Sequence, residues 1–322
     1  MNLLTLLNLE TGAPISAISR IISTAPKRYK EYDIPKRSGG KRRIAHPAKE
    51  LKLLQRVILA EILEECPISD IATAYIKGRG ILHNAQQHVG QRWLLKLDFK
   101  DFFHSITPKD WDRATNRLTC LKGWRDDKDL FHHILFWGRG TDTPTCLSIG
   151  APTSPLISNL VCFKLDSWLR ENAESRGLRV TRYADDITIS GSNVPQLLKF
   201  ERALENVLEK NRGLQLTLNS KKRGLYGPGE RQIVTGLILT PDGKISIGRE
   251  RKREIHALVH KYKVNKTDLE TAMRAKGLVA FAISVERNFV TSLNRKYGSD
   301  VIEALLSTRQ EPNPEYQDRY LF

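Results

Sequence analysis

The chain has 322 residues, 40% of them hydrophobic and 27% charged, which excludes a fibre, a disordered tail and a disulfide-dependent mini-protein. Its 52 Lys/Arg against 36 Asp/Glu give a formal net charge of +16, so a polyanionic partner is expected, nucleic acid ahead of an anionic membrane surface. The most continuous apolar stretch, around Gly277–Val285, falls far short of the roughly 18 residues of a spanning helix, and the Glu10-bearing N-terminus without a basic region is a poor signal peptide.

In chain order, Ile15, Ile18, Ile21 and Ile22 predict a short amphipathic helix. Tyr29–Pro35 and Lys41–Pro47, flanking Ser38-Gly39-Gly40, predict a hairpin whose turn uses glycine for positive φ. Charge concentrates here: Pro26 to Arg56 holds 11 Lys/Arg against 3 Asp/Glu, which suits a phosphate-holding hairpin. A helix is expected from Ala48 to Leu63, with Leu54, Val57 and Ile58 on one face. Trp93–Asp98 (WLLKLD) reads as a buried strand ending in a carboxylate. Ser154-Pro155 reads as an N-cap followed by Pro at the first helical position, with Leu156, Leu160 and Phe163 as the stripe. Val180–Ser190 (VTRYADDITIS) is two β-rich runs around a tight acidic turn. Ile255, Leu258, Val259 and Tyr262 mark a helix that begins with the basic run Arg249 to Arg253. Strands and helices are mixed rather than alternating, so the fold class expected is α+β.

Cys66, Cys120, Cys146 and Cys162 are irregularly spaced with no CxxC, so reduced thiols of a cytosolic protein are expected rather than a zinc site or a disulfide frame. His256 and His260 stand at helical spacing without HExxH and read as a solvated helix face.

The strongest chemical signal is Tyr183-Ala184-Asp185-Asp186. Adjacent carboxylates at a β-turn tip repel each other, and a divalent cation is the usual remedy. Asp98, at the end of a neighbouring strand, is the expected third carboxylate. Two Mg²⁺ ions so held can stabilise the attacking and leaving oxygens of an in-line phosphoryl transfer. Asp126-Asp127 lacks β-flanks and reads as a solvated loop, and Asp101 as a structural loop residue.

These segments resemble the motifs of reverse transcriptases. LDFKDFF at Leu97–Phe103 is similar to the first palm motif, GAPTSPLISN at Gly150–Asn159 to the second, YADD to the third, and LNSKK at Leu218–Lys222 to the lysine motif that follows. Asn84-Ala85-Gln86-Gln87-His88 and Val234-Thr235-Gly236 resemble the NAxxH and VTG elements of the bacterial retron enzymes. The resemblance implies a right-hand polymerase fold, with fingers and an N-terminal helix over 1–92, a palm over 93–104 and 148–244, a fingers/palm insertion over 105–147 and a helical thumb over 245–322.

It further implies site roles. Asp98, Asp185 and Asp186 form the catalytic, metal-binding triad, with the Phe99 backbone carbonyl as a further metal ligand. Lys41, Arg43, Phe103, Ala151 and Lys222 bind the nucleotide; Phe103 excludes the ribose 2′-OH and Lys222 lies near the leaving pyrophosphate. Asn84, His88, Val234, Thr235 and Gly236 serve RNA recognition, and Arg249, Arg251, Lys252 and Arg253 track the duplex. Ile149 stands where most of the family has Gln. The implied activity is copying of a cognate structured non-coding RNA from deoxynucleoside triphosphates into branched RNA–DNA, primed from a guanosine 2′-OH. Cytoplasmic anti-phage defence with a separate effector protein is the implied setting. The competing readings are a stand-alone group II-like or abortive-infection reverse transcriptase, and a non-catalytic RNA-binding scaffold.

Overall fold

The computed structural model describes residues 2–35, 39–210 and 214–309. The chain divides into two compact units, Met1–Pro228 and Gly229–Phe322. Ser38 of the predicted hairpin turn and the last stretch of the predicted thumb, 310–322, lie outside the residues whose side chains are described.

The first unit opens with helices α1 (Leu3–Thr11) and α2 (Ile15–Ser23). Asn2 caps α1 by accepting from the Thr5 backbone N–H, and Gly12 closes it with φ 67°. The Leu3 N–H donates to the Asp127 carboxylate at 2.9 Å. Asp127 is therefore a long-range helix cap and not the free loop residue expected from sequence. The hairpin β1 (Tyr29–Pro35) and β2 (Lys41–Pro47) forms as predicted, with Gly39 and Gly40 at φ 84° and 80°. Helix α3 (Lys49–Ile58) continues through a π-turn at Leu59–Leu63, so the predicted 48–63 helix exists with its last turn widened.

Next come α4 (Ile81–Gln86), β3 (Trp93–Asp98), α5 (Phe102–Ser105), α6 (Pro108–Thr115), a 3-10 stretch (Thr119–Asp127) and α7 (Lys128–Leu135). Contrary to the reduced thiols expected, Cys66 and Cys120 form a disulfide with Cα atoms 5.6 Å apart, linking the end of α3 to the 3-10 stretch. A bridge spanning 54 residues leaves no local spacing by which it could be read. Cys146 and Cys162 are buried free thiols, as expected.

Helix α8 (Ser154–Glu174), the hairpin β4 (Arg179–Tyr183) and β5 (Asp186–Gly191), α9 (Val194–Lys210) and β6 (Gly224–Tyr226) complete the unit. Thr153 is the N-cap of α8 and Ser154 its first residue, one position earlier than expected. The strands form an antiparallel sheet in the order β4-β5-β3-β6. Helix α8 packs on β4 and α9 on β5. Leu95, Leu97, Ile187 and Ile189 from the strands meet Leu160, Leu169, Leu197, Phe200 and Leu204 from the helices in one core. Truncating any of these to alanine removes about 2–5 kcal/mol, so the sheet edge that carries the carboxylates stands on a rigid floor.

In the second unit β7 (Gln232–Val234), β8 (Leu237–Leu239) and β9 (Ile245–Ser246) form a small antiparallel sheet. Thr235 and Gly236 make its first turn with φ 46° and 83°, the two positive angles a type I′ hairpin requires. Helices α10 (Arg249–Lys263), α11 (Leu269–Val285), α12 (Arg287–Tyr297) and α13 (Ser299–Ser307) follow. Glu286 ties sheet to helices: its carboxylate accepts from Ser246 Oγ at 3.0 Å, Ile247 N at 3.1 Å and Lys252 Nζ at 2.5 Å. Those bonds join the short strands of this unit to its helices. Among the described residues no helix is long and apolar enough to cross a membrane.

Candidate active site

Antiparallel register brings the acidic residues together. Asp98, the last residue of β3, stands directly opposite Asp186, the first of β5. Asp185 sits in the two-residue loop between Tyr183 and Asp186, and its carbonyl accepts from the Phe99 N–H at 3.0 Å. Strand ends from two distant motifs thus meet at one edge of the sheet, with Phe99 buried beneath.

The electrostatics are those of a crowded anionic site. Burial and the neighbouring Asp185 push the Asp186 carboxyl up to about 6, helped by a hydrogen bond with Asp98. Burial and then Asp98 raise Asp185, while Lys222 and Arg42 pull it back. Lys222 Nζ donates to Asp98 Oδ2 at 2.7 Å. Burial alone would lower that ammonium's pKa, but the bond and charge of Asp98, with Asp185 and Asp186 behind, raise it. Among the described residues no three His, Cys, Asp or Glu side chains form a closed ligand cage. Hard carboxylate oxygens that repel one another nevertheless fit Mg²⁺, which takes one or two carboxylates and completes its shell with water and substrate phosphate.

An aromatic wall adjoins the carboxylates. The chain turns after β3 through Asp101, at φ 44°, which buries Phe102 and leaves Phe103 half-buried. The Phe103 ring lies 5.5 Å from Phe102 and 6.3 Å from Tyr75. Tyr75 is a residue that sequence reading misses. It is 48% exposed at φ 64°, and burial of its hydroxyl end followed by the charge of Asp185 raises its phenol pKa. An exposed aromatic in a left-handed conformation beside the Asp185 carboxylate is the kind of strain that sites retain.

The hairpin carries its charges with a definite parity. Arg43 bonds Glu31 at 2.6 Å on the paired strand and lies 3.7 Å from Asp33, while Lys41 is exposed. Arg42, one position away and so on the opposite strand face, is the hairpin cation whose charge acts on Asp185 and Tyr75. The hairpin base is anchored beside Ala151, which is buried. Ala45 N donates to the Ile149 carbonyl at 3.0 Å. A side chain at Gly150, at φ 133°, would stand 2.8 Å from the Ala45 carbonyl, so this close approach requires glycine.

Asn84 and His88 are buried. Asn84 Oδ1 accepts from Thr73 Oγ1 at 3.0 Å. The His88 ring is held between Ser190 Oγ at 2.7 Å and Thr181 Oγ1 at 2.8 Å, strapping the chain after α4 to β5 and β4. The polar groups of both residues are bonded inside the protein. Burial pushes the His88 imidazole down to about 3. The ring is neutral in the fold, so its contribution is complete above the ordinary histidine pKa near 6.5 and declines as pH falls toward 3. His88→Ala is expected to destabilise the protein by about 3 kcal/mol, through a cavity and two orphaned hydroxyls, read from urea unfolding at pH 7.5.

In the second unit Val234 is fully buried and Thr235-Gly236 is the hairpin turn. Of the predicted basic residues on α10, Arg251 stacks on Phe281 at 5.0 Å and Lys252 bonds Glu286. Arg249 and Arg253 line a cleft with Glu250, Ile238 and Arg231, the last of which sequence reading misses. His256 stacks edge-on with Phe289 at 5.4 Å.

Comparison with known proteins identifies the family. Residues 34–257 match the family model of reverse transcriptases, RNA-dependent DNA polymerases. The chain is 36% identical to the Retron Ec83 reverse transcriptase of Escherichia coli, over 86% of this chain and 89% of that one. It is 32% identical to the Retron Ec86 reverse transcriptase of Escherichia coli over 93% and 92%, and 33% identical to the Retron Mx162 reverse transcriptase of Myxococcus xanthus over 82% and 59%. Among solved structures, telomerase from Candida albicans in complex with a fragment of telomeric RNA aligns with a TM-score of 0.50 and 11% identity. The alignment covers 93% of this chain and 64% of that one, a likeness of fold alone. With its α+β right-hand polymerase fold, the chain belongs to the retron reverse transcriptases, a family of RNA-directed DNA polymerases.

Proposed function

We propose that this polymerase copies a cognate structured non-coding RNA into single-stranded DNA, priming from a guanosine 2′-OH to give branched RNA–DNA, in a cytoplasmic anti-phage system with a separate effector protein. The observation that carries the catalytic part is the register that sets Asp98 opposite Asp186 with Asp185 in the adjoining loop. Residues 1–92 act as fingers, 93–104 and 148–244 as palm, 105–147 as an insertion and 245–322 as thumb.

Two Mg²⁺ ions held by Asp98, Asp185, Asp186 and the Phe99 carbonyl would supply charge stabilisation to the attacking and leaving oxygens. The protein's own part is positioning. Asp98 and Lys222 share a hydrogen bond that opens as substrate enters, leaving the ammonium to donate a proton to the departing pyrophosphate. Phe103, walled by Phe102 and Tyr75, excludes a 2′-OH from the incoming sugar. Arg42, with Lys41 and Arg43 on the same hairpin, meets the triphosphate, beside Ala151. Asn84, His88 and the Val234-Thr235-Gly236 hairpin shape the RNA-binding surface indirectly, while Arg249, Arg253 and Arg231 hold its backbone in a salt-sensitive manner.

The test is expression of the protein with its flanking nucleotide sequence. The nucleic acid that copurifies is expected to contain a DNase-sensitive species joined covalently to RNA through a 2′ linkage. Free DNA primed only from added oligonucleotides would instead support a generic reverse transcriptase. In the same extension assay Phe103→Ala is expected to lower discrimination against ribonucleotides roughly 100-fold, the scale of one well-formed steric exclusion; unchanged sugar selectivity would make Phe103 only a wall of the core.

A further inference from the structure

A charge that the chemistry above does not use lies beneath the acidic turn. Arg182 of β4 and Asp166 of α8 are both fully buried, with 0% side-chain exposure. Arg182 Nε and Nη2 donate to the two Asp166 oxygens at 2.6 and 2.7 Å. Nη2 also donates to Asn159 Oδ1 at 3.2 Å, and Nη1 to the backbone carbonyl of Ala184 at 3.1 Å. The main chain of Arg182 is fixed as well: its N–H donates to the Ile71 carbonyl at 2.7 Å and its carbonyl accepts from Thr73 N at 2.9 Å. Asn159 reaches further, donating from Nδ2 to the Ala74 carbonyl at 3.0 Å, next to Tyr75.

Ala184 is the first residue of the catalytic loop, buried and at φ 57°. An alanine avoids that left-handed region by roughly tenfold, and it persists only where the surroundings impose it. A buried ion pair is by itself a weak source of stability, since desolvation consumes most of its attraction. What this pair adds is direction, because a planar guanidinium can hold Asp166, Asn159 and Ala184 in one plane and an ammonium cannot.

We propose that Arg182 is a positioning residue. Clamped by Asp166 and Asn159 of α8, it fixes the Ala184 carbonyl and so imposes the strained turn that presents Asp185 and Asp186 to metal; the proposal rests on the metal-binding reading of those carboxylates. Its action is geometric and not electrostatic, because Asp166 neutralises Arg182 while the charges that shift Asp185 are those of Asp98, Lys222 and Arg42. Through Asn159 the same clamp sets the backbone beside Tyr75, so metal seat and sugar wall share one support.

Two full-length variants test this. Arg182→Lys keeps a charge for Asp166 and loses the fork. The double variant Arg182→Met with Asp166→Leu replaces the pair by apolar groups of similar volume, a change that buried pairs commonly tolerate without loss of stability. The readouts are melting temperature, affinity for a primed RNA template without metal, Mn²⁺ affinity by electron paramagnetic resonance, and the kcat for nucleotide addition. Both variants are expected to fold and bind template as wild type does, while Mn²⁺ affinity and kcat each fall roughly tenfold, the scale of one lost charge-assisted hydrogen bond. A folded double variant with Mn²⁺ affinity and kcat within about twofold of wild type overturns the proposal. Loss of the fold in both variants assigns the pair to stability and overturns it equally. Retention of synthesis by an Asp185→Asn enzyme would instead sink the metal reading itself.

Discussion

Asp185→Asn is expected to abolish DNA synthesis, by roughly 10³-fold or more, while leaving affinity for RNA within about twofold. The substitution is isosteric and keeps the backbone carbonyl that accepts from Phe99, so the turn retains its shape and loses only the charge a metal requires. RNA affinity is expected to rest on the net charge of +16, half of it concentrated between Pro26 and Arg56, to which one half-buried carboxylate adds little. The same change should raise the melting temperature in EDTA by a few degrees, because it relieves about 1 kcal/mol of repulsion between like charges. Asp185 and Asp186 are acids whose folded pKa values are raised, Asp186 to about 6. Their ionised forms therefore oppose folding above that pH, and the penalty disappears as pH falls toward the ordinary carboxylate range. The gap in melting temperature between variant and wild type should be widest above pH 6 and shrink toward pH 4. A gap that is constant with pH would mean that the three carboxylates do not interact.

The acidic edge of the sheet is legible in the sequence because it depends on short-range patterns. WLLKLD is an apolar run with a terminal carboxylate, YADD is a turn between β-rich runs, and each strand forms over or within two residues of its predicted span. What sequence withholds is information of long range or of parity. Charge composition marks the hairpin as basic but cannot say which strand face points to the site; the resemblance implies Lys41 and Arg43, while Arg42 is the hairpin cation whose charge acts on Asp185. Arg43 is in fact paired with Glu31 across the hairpin. Asn84 and His88 stand as recognition residues only through the resemblance to NAxxH, and their partners Thr73, Thr181 and Ser190 can be known only once the sheet is built. The Asp127 cap of α1, the Cys66–Cys120 bridge and the Arg182 clamp have the same cause: each joins segments that no local window contains. Tyr75 lies in a stretch without periodicity, where an aromatic among small residues gives no sign of the carboxylate it will face.

Lys222→Met is expected to separate metal binding from chemistry. Lys222 Nζ stands 2.7 Å from Asp98 Oδ2 and neutralises the carboxylate proposed to hold metal. Metal and ammonium therefore compete for one oxygen. Removing the ammonium while keeping the length of the side chain should tighten Mn²⁺ binding, by a few-fold since the lysine is half-exposed and solvent screens it. If Lys222 also hands a proton to the leaving pyrophosphate, kcat for nucleotide addition should drop about 10²-fold in the same protein, the usual weight of a general acid. Stronger metal binding with slower chemistry is a combination that neither a misfolded site nor a merely weakened one produces. Rapid-quench measurement of single-nucleotide addition, beside a Mn²⁺ titration, reads both quantities. Tighter Mn²⁺ with an unchanged rate would reduce Lys222 to a counter-ion that fills the site between turnovers. The proton would then have to come from water or from a neighbouring cation such as Lys221, whose own replacement would show the loss instead.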